Sequence, residues 1–336
     1  MYLSKFFVSF ILLLQLSINS IAVQWNNENN DFKNKTELSL VELKPFKSTS
    51  LTSYKTLDRR QGKRNATEDD DFEFLISGGY RPESNPLSKF LVSIRTTKEQ
   101  MSFGDNHYCG GSIISRKAIL TVAHCIVFPS GKVRNPESIL IVAGTPRRLL
   151  RTENTQVMAV DEVIPHPDFS QINNILKNDV GIMKLKHKLK LDEEFVDIVP
   201  LADTEPKTGT KCTVLGWGDV FRVGPMPDEV LNGDVNILAE WECKYQGISK
   251  GGICAGNRDS ETDSREGDSG GPMICNNKQV GIVSGGGESK SYDPSIYSDV
   301  YYYRKWIAQN GANYISRSIY KLMLLLLAII KLAINT

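Results

Sequence analysis

Gly267-Asp268-Ser269-Gly270-Gly271-Pro272 sets a hydroxyl between glycines. A serine hydroxyl is a weak nucleophile. It needs a base to take its proton and donors to hold the oxyanion that its attack creates. A tight glycine turn supplies the donors, because its backbone can fold so that the N–H groups of Gly267 and Ser269 point at one spot beside the hydroxyl. The chemistry this pattern predicts is acyl transfer. The same six residues also read as an ordinary glycine-rich surface turn. The rest of the chain must therefore supply a base and a group to orient it.

Thr121-Val122-Ala123-His124-Cys125 follows an apolar stretch, and Cys109 lies upstream in Tyr108-Cys109-Gly110-Gly111-Ser112. A disulfide between Cys109 and Cys125 would pin the turn that carries His124. Imidazole titrates near neutrality, so it can take a proton from a serine and return it to a leaving group. His107, His166 and His187 lack such neighbours and read as ordinary surface or core residues. Asp179 heads the apolar run Val180-Gly181-Ile182-Met183-Lys184-Leu185. It reads either as a turn residue or as the acceptor for the second imidazole N–H. Together, in the order His124, Asp179, Ser269, the three predict an activated serine. A lipase-type esterase, with its nucleophile elbow and Ser-Asp-His order, does not match.

These groups need a scaffold. Leu91–Ile94, Ser112–Ile114, Ala118–Leu120, Ile139–Val142, Val157–Val163, Val180–Leu185, Thr213–Leu215 and Val280–Val283 are short β-branched or apolar runs between turn residues, and read as strands. Long helical patterns are scarce before Tyr301. The pattern predicts an all-β barrel or sandwich, with length enough for two barrels.

The flanks differ in composition. Residues 1–22 read as a secretory signal peptide: Lys5, then the apolar run Phe6–Leu16, then small residues at Ser20 and Ala22. Residues 23–75 are polar and without period, and read as a pro-segment or linker. They carry glycosylation sequons at Asn34 and Asn65, and basic pairs at Arg59-Arg60 and Lys63-Arg64 that are either a solvated linker or a processing site. The compact domain is placed at 76–315. The tail, 316–336, contains the apolar run Leu322–Ile330. It reads as a glycolipid-anchor signal, an amphipathic surface anchor or a packed helix. The net charge of +1, from 40 Lys and Arg against 39 Asp and Glu, implies no nucleic-acid partner. The six cysteines form no CxxC pair, so no metal is expected, and a secreted chain would pair them as disulfides.

With these motifs in hand, the chain resembles the trypsin-like serine proteases of the chymotrypsin family from about Ile76 to about Ile315. The resemblance implies two perpendicular six-stranded antiparallel β-barrels with a C-terminal helix beginning around Tyr302. It implies a catalytic triad of His124, Asp179 and Ser269, and an oxyanion hole at the backbone of Gly267 and Ser269. Gly216-Trp217-Gly218 matches a further family motif. Asp263, with Ser264 beside it, falls at the base of the specificity pocket. Ser284, Gly285 and Gly286 fall on the edge that pairs with substrate. It also implies the pairs Cys109–Cys125, Cys212–Cys275 and Cys243–Cys254, and an activation contact between a freed Ile76 amine and Asp268.

Four departures stand out. Arg265 replaces a cysteine whose partner is absent too, Gly285 replaces a tryptophan, Ser295 replaces a pocket glycine, and Leu75 replaces the basic residue before the new N-terminus. The implied function is a secreted serine endopeptidase cutting after Arg or Lys and made as a zymogen. It needs no cofactor. Its partners are a protein or peptide substrate, protein inhibitors and an upstream activating protease, with a membrane tether through the tail as a further option. The rival is a catalytically silent homologue that binds or regulates partners.

Overall fold

The computed structural model describes residues 79–172, 175–219, 224–246, 248–257, 264–285 and 294–311. The predicted signal, the linker with Asn34 and Asn65, Leu75, Ile76, Asp263, Gly286 and the apolar tail lie outside these residues. The described residues belong to one compact unit, Asp69–Thr336.

Among them, twelve strands close two antiparallel barrels. The first contains β1 (Leu91–Thr96), β2 (His107–Ser115), β3 (Ala118–Thr121), β4 (Ile139–Ala143), β5 (Gln156–Pro165) and β8 (Gly181–Leu185), in the order β1-β2-β3-β8-β5-β4. Between β5 and β8 a separate two-stranded ribbon pairs β6 (Ser170–Ile172) with β7 (Ile175–Lys177). The second barrel contains β9 (Lys211–Gly216), β10 (Leu231–Ile237), β11 (Gly252–Gly256), β12 (Pro272–Cys275), β13 (Lys278–Gly285) and β14 (Ser295–Asp299), in the order β10-β11-β14-β13-β12-β9. Among the described residues, helix is confined to a few 3-10 turns, the single turn α1 (Ala123–Ile126) and α2 (Val300–Asn310).

All eight predicted strand segments lie on strands. The exception at residue level is Val180, which precedes β8. The helix begins at Val300, ahead of the expected Tyr302. Asp299 is the reason: its carboxylate accepts from the N–H groups of Tyr301 (2.8 Å) and Tyr302 (3.2 Å) and caps the first turn.

The first barrel is filled by β-branched and aliphatic side chains. Val92, Ile94, Ile113, Ile119, Leu120, Ile141, Val160 and Ile182 are all fully buried. Each such residue contributes about 1.5–3 kcal/mol relative to exposure. Helix α2 adds Val300, Tyr303 and Ile307 to the same core cluster. The second barrel has a smaller core around Val214, Val235, Ile253, Met273, Val283 and Tyr297. Disulfides join Cys109 to Cys125, Cys212 to Cys275 and Cys243 to Cys254, the pairing that the resemblance implied.

Candidate active site

Strand register brings the first two groups together. In the antiparallel pair β3–β8, Thr121 lies opposite Gly181. The turn leaving β3 and the turn entering β8 therefore end at the same place, and they carry His124 and Asp179. The Asp179 carboxylate accepts from the His124 backbone N–H at 2.9 Å through one oxygen. Its other oxygen lies 2.7 Å from His124 Nδ1. An acid there keeps a hydrogen on Nδ1 and leaves Nε2 as the proton acceptor. The Asp179 side chain is 2% exposed and the His124 side chain 24%, so the acid is enclosed and the ring reaches the cleft.

The electrostatics of His124 are a contest. Burial disfavours the imidazolium, while the Asp179 charge and hydrogen bond favour it. The acid wins, and the ring's pKa lies above its ordinary value.

Ser284 was expected only on the substrate-pairing edge, yet its hydroxyl donates to Asp179 at 2.6 Å. Ser298 donates to the Asp179 carbonyl at 2.6 Å, and Tyr303 from α2 donates to Asn178 at 3.1 Å. The second barrel and its helix thus hold the acid that the first barrel presents.

Ser269 sits in the turn before β12. Gly270 N–H donates to Val283 (2.8 Å), Gly271 N–H donates to Asp268 (2.8 Å), and Asp268 N–H donates to Arg265 (3.0 Å). Two glycines are obligatory. Gly267 has φ +98° and Gly270 φ +86°, and a side chain on Gly270 would collide with Thr121 and the Gly110 carbonyl. The turn is tied to the first barrel by Gly110 N–H, which donates to the Ser269 carbonyl at 2.8 Å. With Cys125 Sγ 3.6 Å from the same carbonyl, this bond brings the serine turn beside the turn that carries His124.

Asp268 is 1% exposed. Its carboxylate accepts from Gly218 N–H at 2.7 Å and Arg265 N–H at 2.9 Å. A side chain at Gly216 or Gly218 would overlap that carboxylate, which accounts for the Gly216-Trp217-Gly218 motif. Trp217 between them donates from its indole to the Pro146 carbonyl at 2.9 Å.

His107, read from sequence as an ordinary residue, is part of this region. It is buried between Ser93 Oγ (2.8 Å from Nδ1) and the Gly267 carbonyl (3.1 Å from Nε2), with its ring edge-on to Trp217. It lies on β2 two residues before Cys109, beneath the serine turn, a placement that no local pattern in the sequence marks.

Of the residues expected in the specificity pocket, Ser264 and Ser295 are both buried. The Ser264 hydroxyl and N–H both lie against Ser295 Oγ, at 2.9 and 3.2 Å. At Gly285 a side chain would meet no described residue within 4 Å.

The comparisons agree with this geometry. The trypsin family model matches residues 76–307. Serine protease 1 of Homo sapiens is 31% identical over 245 residues, 71% of this chain and 90% of that protein. Trypsin eta of Drosophila melanogaster is 31% identical over 238 residues, covering 69% and 87%. Duodenase-1 of Bos taurus is 31% identical over 247 residues, covering 71% and 90%. The chain belongs to the trypsin family. It is a serine-type endopeptidase, a hydrolase whose substrates are proteins or peptides, and the silent-homologue rival is not favoured.

Proposed function

We propose that Ser269 is the nucleophile, His124 the general base and then acid, and Asp179 the group that orients the ring. Ser269 Oγ bonds to the substrate carbonyl carbon while its proton passes to His124 Nε2. The oxyanion accepts from the N–H groups of Gly267 and Ser269. The imidazolium, stabilised by Asp179, returns the proton to the departing amine as the C–N bond breaks. Water repeats the cycle on the acyl-enzyme and frees the acid product. The observation that carries this reading is the enclosed Asp179 carboxylate, bonded at once to the His124 backbone, the His124 ring and Ser284. Labelling by a fluorophosphonate probe, abolished in Ser269→Ala, tests it. Labelling that survives the substitution sinks it.

The preferred substrate has Arg or Lys on the acyl side of the cut bond, taken by Asp263. The linked Ser264 and Ser295 line the same pocket and reduce its width, and Gly285 weakens neighbouring subsite contacts. Asp263→Ser, assayed on Arg-, Lys-, Phe- and Ala-ending amides, is expected to erase the basic preference. A wild-type enzyme that cuts the Phe amide fastest refutes the assignment.

The enzyme is secreted through 1–22 and made as a precursor. Cutting at Lys63-Arg64 leaves an extension, so a second cut after Leu75 frees the Ile76 amine to pair with Asp268. Breaking a buried ion pair costs about 3–5 kcal/mol, so the precursor, which lacks the Ile76 amine contact, has a poorly formed oxyanion hole. Full activity in a form that begins at Asn65 rules this out. The domain limits of 76–315, the sequons at Asn34 and Asn65 and a tether through 316–336 are part of the same proposal. Mass mapping and detergent partitioning of the secreted protein check them.

A further inference from the structure

The buried outer face of β1 carries a polar chain that the reaction above does not use. Val92 and Ile94 point into the first barrel, and Ser93 and Arg95 point the other way. The register places Ser93 opposite Gly110 and Arg95 opposite His107. Each of Ser93 and Arg95 is 1% exposed, because this face lies under the serine turn. Arg95 Nε is 2.8 Å from Ser93 Oγ, which is 2.8 Å from His107 Nδ1, and His107 Nε2 is 3.1 Å from the Gly267 carbonyl.

The two ends of this chain fix every proton in it. A guanidinium only donates and a carbonyl only accepts. His107 Nε2 therefore carries its hydrogen toward Gly267. In a neutral ring Nδ1 then holds a lone pair, so Ser93 donates to it and accepts from Arg95. Burial keeps the ring neutral by pulling its pKa down to about 3. The Gly267 carbonyl opposes this, and the Arg148 and Arg95 charges reinforce it.

We propose that Arg95 is a positioning residue for the oxyanion site. By filling a Ser93 lone pair it selects the Nε2–H tautomer of His107, whose hydrogen keeps the Gly267 carbonyl turned toward the ring and away from the reacting oxygen. The inference rests on the reading of Gly267 and Ser269 as oxyanion donors.

The opposite tautomer places two donors on Ser93 and leaves the serine's own hydrogen unbonded beside a cation. It also aims a nitrogen lone pair at a carbonyl. Both are costly in a buried site. A charged donor at the head of the chain strengthens each bond along it. Stability alone is a poor reason for an arginine here, since its Nη1 is buried with no hydrogen-bond partner among the described residues. Its other groups are engaged: Nη2 donates to the Arg148 carbonyl at 2.9 Å, and the guanidinium stacks on Phe103 at 4.4 Å. Arg148 braces the opposite side of the turn. It donates to the carbonyls of Gly104, Met226 and Pro227 (2.8, 2.8 and 2.7 Å), and the Met226 methyl packs against Gly267.

Arg95→Met keeps a stem against Phe103 and removes the donor. With the activated enzyme and one peptide amide, kcat is expected to fall about tenfold, less than the ~100-fold or more that follows outright loss of an oxyanion donor. KM should stay unchanged, and affinity for a peptide aldehyde that mimics the tetrahedral state should weaken by the same factor as kcat. Nitrogen chemical shifts of His107 should move from a single Nε2–H tautomer to a mixture. Arg95→Lys, which still donates to Ser93, should recover part of each effect. If Arg95→Met does not fold, Ser93→Ala interrupts the same chain with a smaller change and is read in the same way. Unchanged kcat with a lowered melting temperature, or a His107 that remains purely Nε2–H, overturns the proposal. A wild-type enzyme that a fluorophosphonate fails to label at Ser269 defeats the underlying assignment of the site instead, and the His107 shifts still decide the role of Arg95.

Discussion

The two barrels hold their halves of the site by different physics. The first barrel presents His124 from the turn leaving β3 and Asp179 from the turn entering the adjacent β8, and those strands are packed with fully buried Ile, Val and Leu. Position there follows from close packing, which resists small displacements. The second barrel presents Ser269 from a turn held by hydrogen bonds between buried polar groups: Asp268 to Gly218 and Arg265, Gly110 to Ser269, His107 to Gly267. A packed apolar half tolerates loss of a methyl group. A hydrogen-bonded half does not tolerate loss of a partner, because the remaining atom stays buried and unsatisfied.

Asp179 is where the contrast breaks first, since it is the buried acid of the packed half. Asp179→Asn keeps the shape but presents an amide to His124 Nδ1 and favours the wrong tautomer. kcat should drop by roughly 10⁴-fold, the size of this loss in the trypsin family itself, with little change in melting temperature. A drop below about tenfold would mean that Asp179 does not set the tautomer.

Next in size is the staple of the smaller core. Cys212 and Cys275 join β9 to β12 across a sequence separation of 63. Replacing both by Ala should cost about 2–5 kcal/mol in chemical denaturation. Activity should fall at lower denaturant than the near-ultraviolet signal of the first barrel changes. Coincident transitions would show that the barrels do not differ in this respect.

Acid separates the two histidines by sign. His107 has a folded pKa pulled by burial to about 3, against about 6.5 when unfolded. Its stabilising contribution is complete above pH ~6.5 and is lost as the pH falls toward its folded value, by a few kcal/mol in order of magnitude. His124 is raised, so its contribution is complete below ~6.5 and is lost as the pH rises through its folded value. A general base at His124, as proposed, must be neutral, so the acid limb of kcat/KM should lie above pH ~6.5. Melting curves between pH 3 and 7, with His107→Gln as control, and a pH–rate profile measure both. An acid limb at or below 6.5 contradicts the His124 assignment.

The smallest effect sharpens the contrast from the packed side. Ile141→Val in the first barrel should cost about 0.5–1.5 kcal/mol of stability and leave kcat within a factor of two or so.

The same contrast governs what could be read from the chain. Seven of the eight segments read as strands, such as Ala118–Leu120 and Ile139–Val142, are runs whose apolar residues are mostly buried, the exception being Val157–Val163, where Val157 is exposed. The strands that went unrecognised include β10, Leu-Asn-Gly-Asp-Val-Asn-Ile, β11, a five-residue run bounded by glycines, and β14, Ser-Ile-Tyr-Ser-Asp. Their polar and glycine content hides the period, and only pairing with neighbours makes them strands. The chemistry was legible because glycine, histidine and cysteine cluster around it. Its supports were not. Ser93 and Arg95 occupy the alternate positions of an apolar strand, where a polar residue reads as solvent-facing. Nothing local reveals that another barrel covers that face. The second use of Ser284, as a donor to Asp179, was hidden for the same reason.

Helix α2 gives the enzyme a timetable. It is the last described element in sequence, yet Tyr303 reaches back to Asn178 and Ile307 enters the core cluster of the first barrel. Ser298, just before it, completes the bonding of Asp179. A ribosome therefore delivers His124 and Asp179 long before it delivers the residues that steady them. Until residues near 310 have emerged, the growing polypeptide carries the proposed triad without the contacts of Tyr303 and Ile307. Arrested chains ending at 299 should escape fluorophosphonate labelling, and chains extended past 311 should accept it once activated. The order of synthesis and the order of assembly thus differ: the acid comes early in the chain, and its supports come last among the described elements.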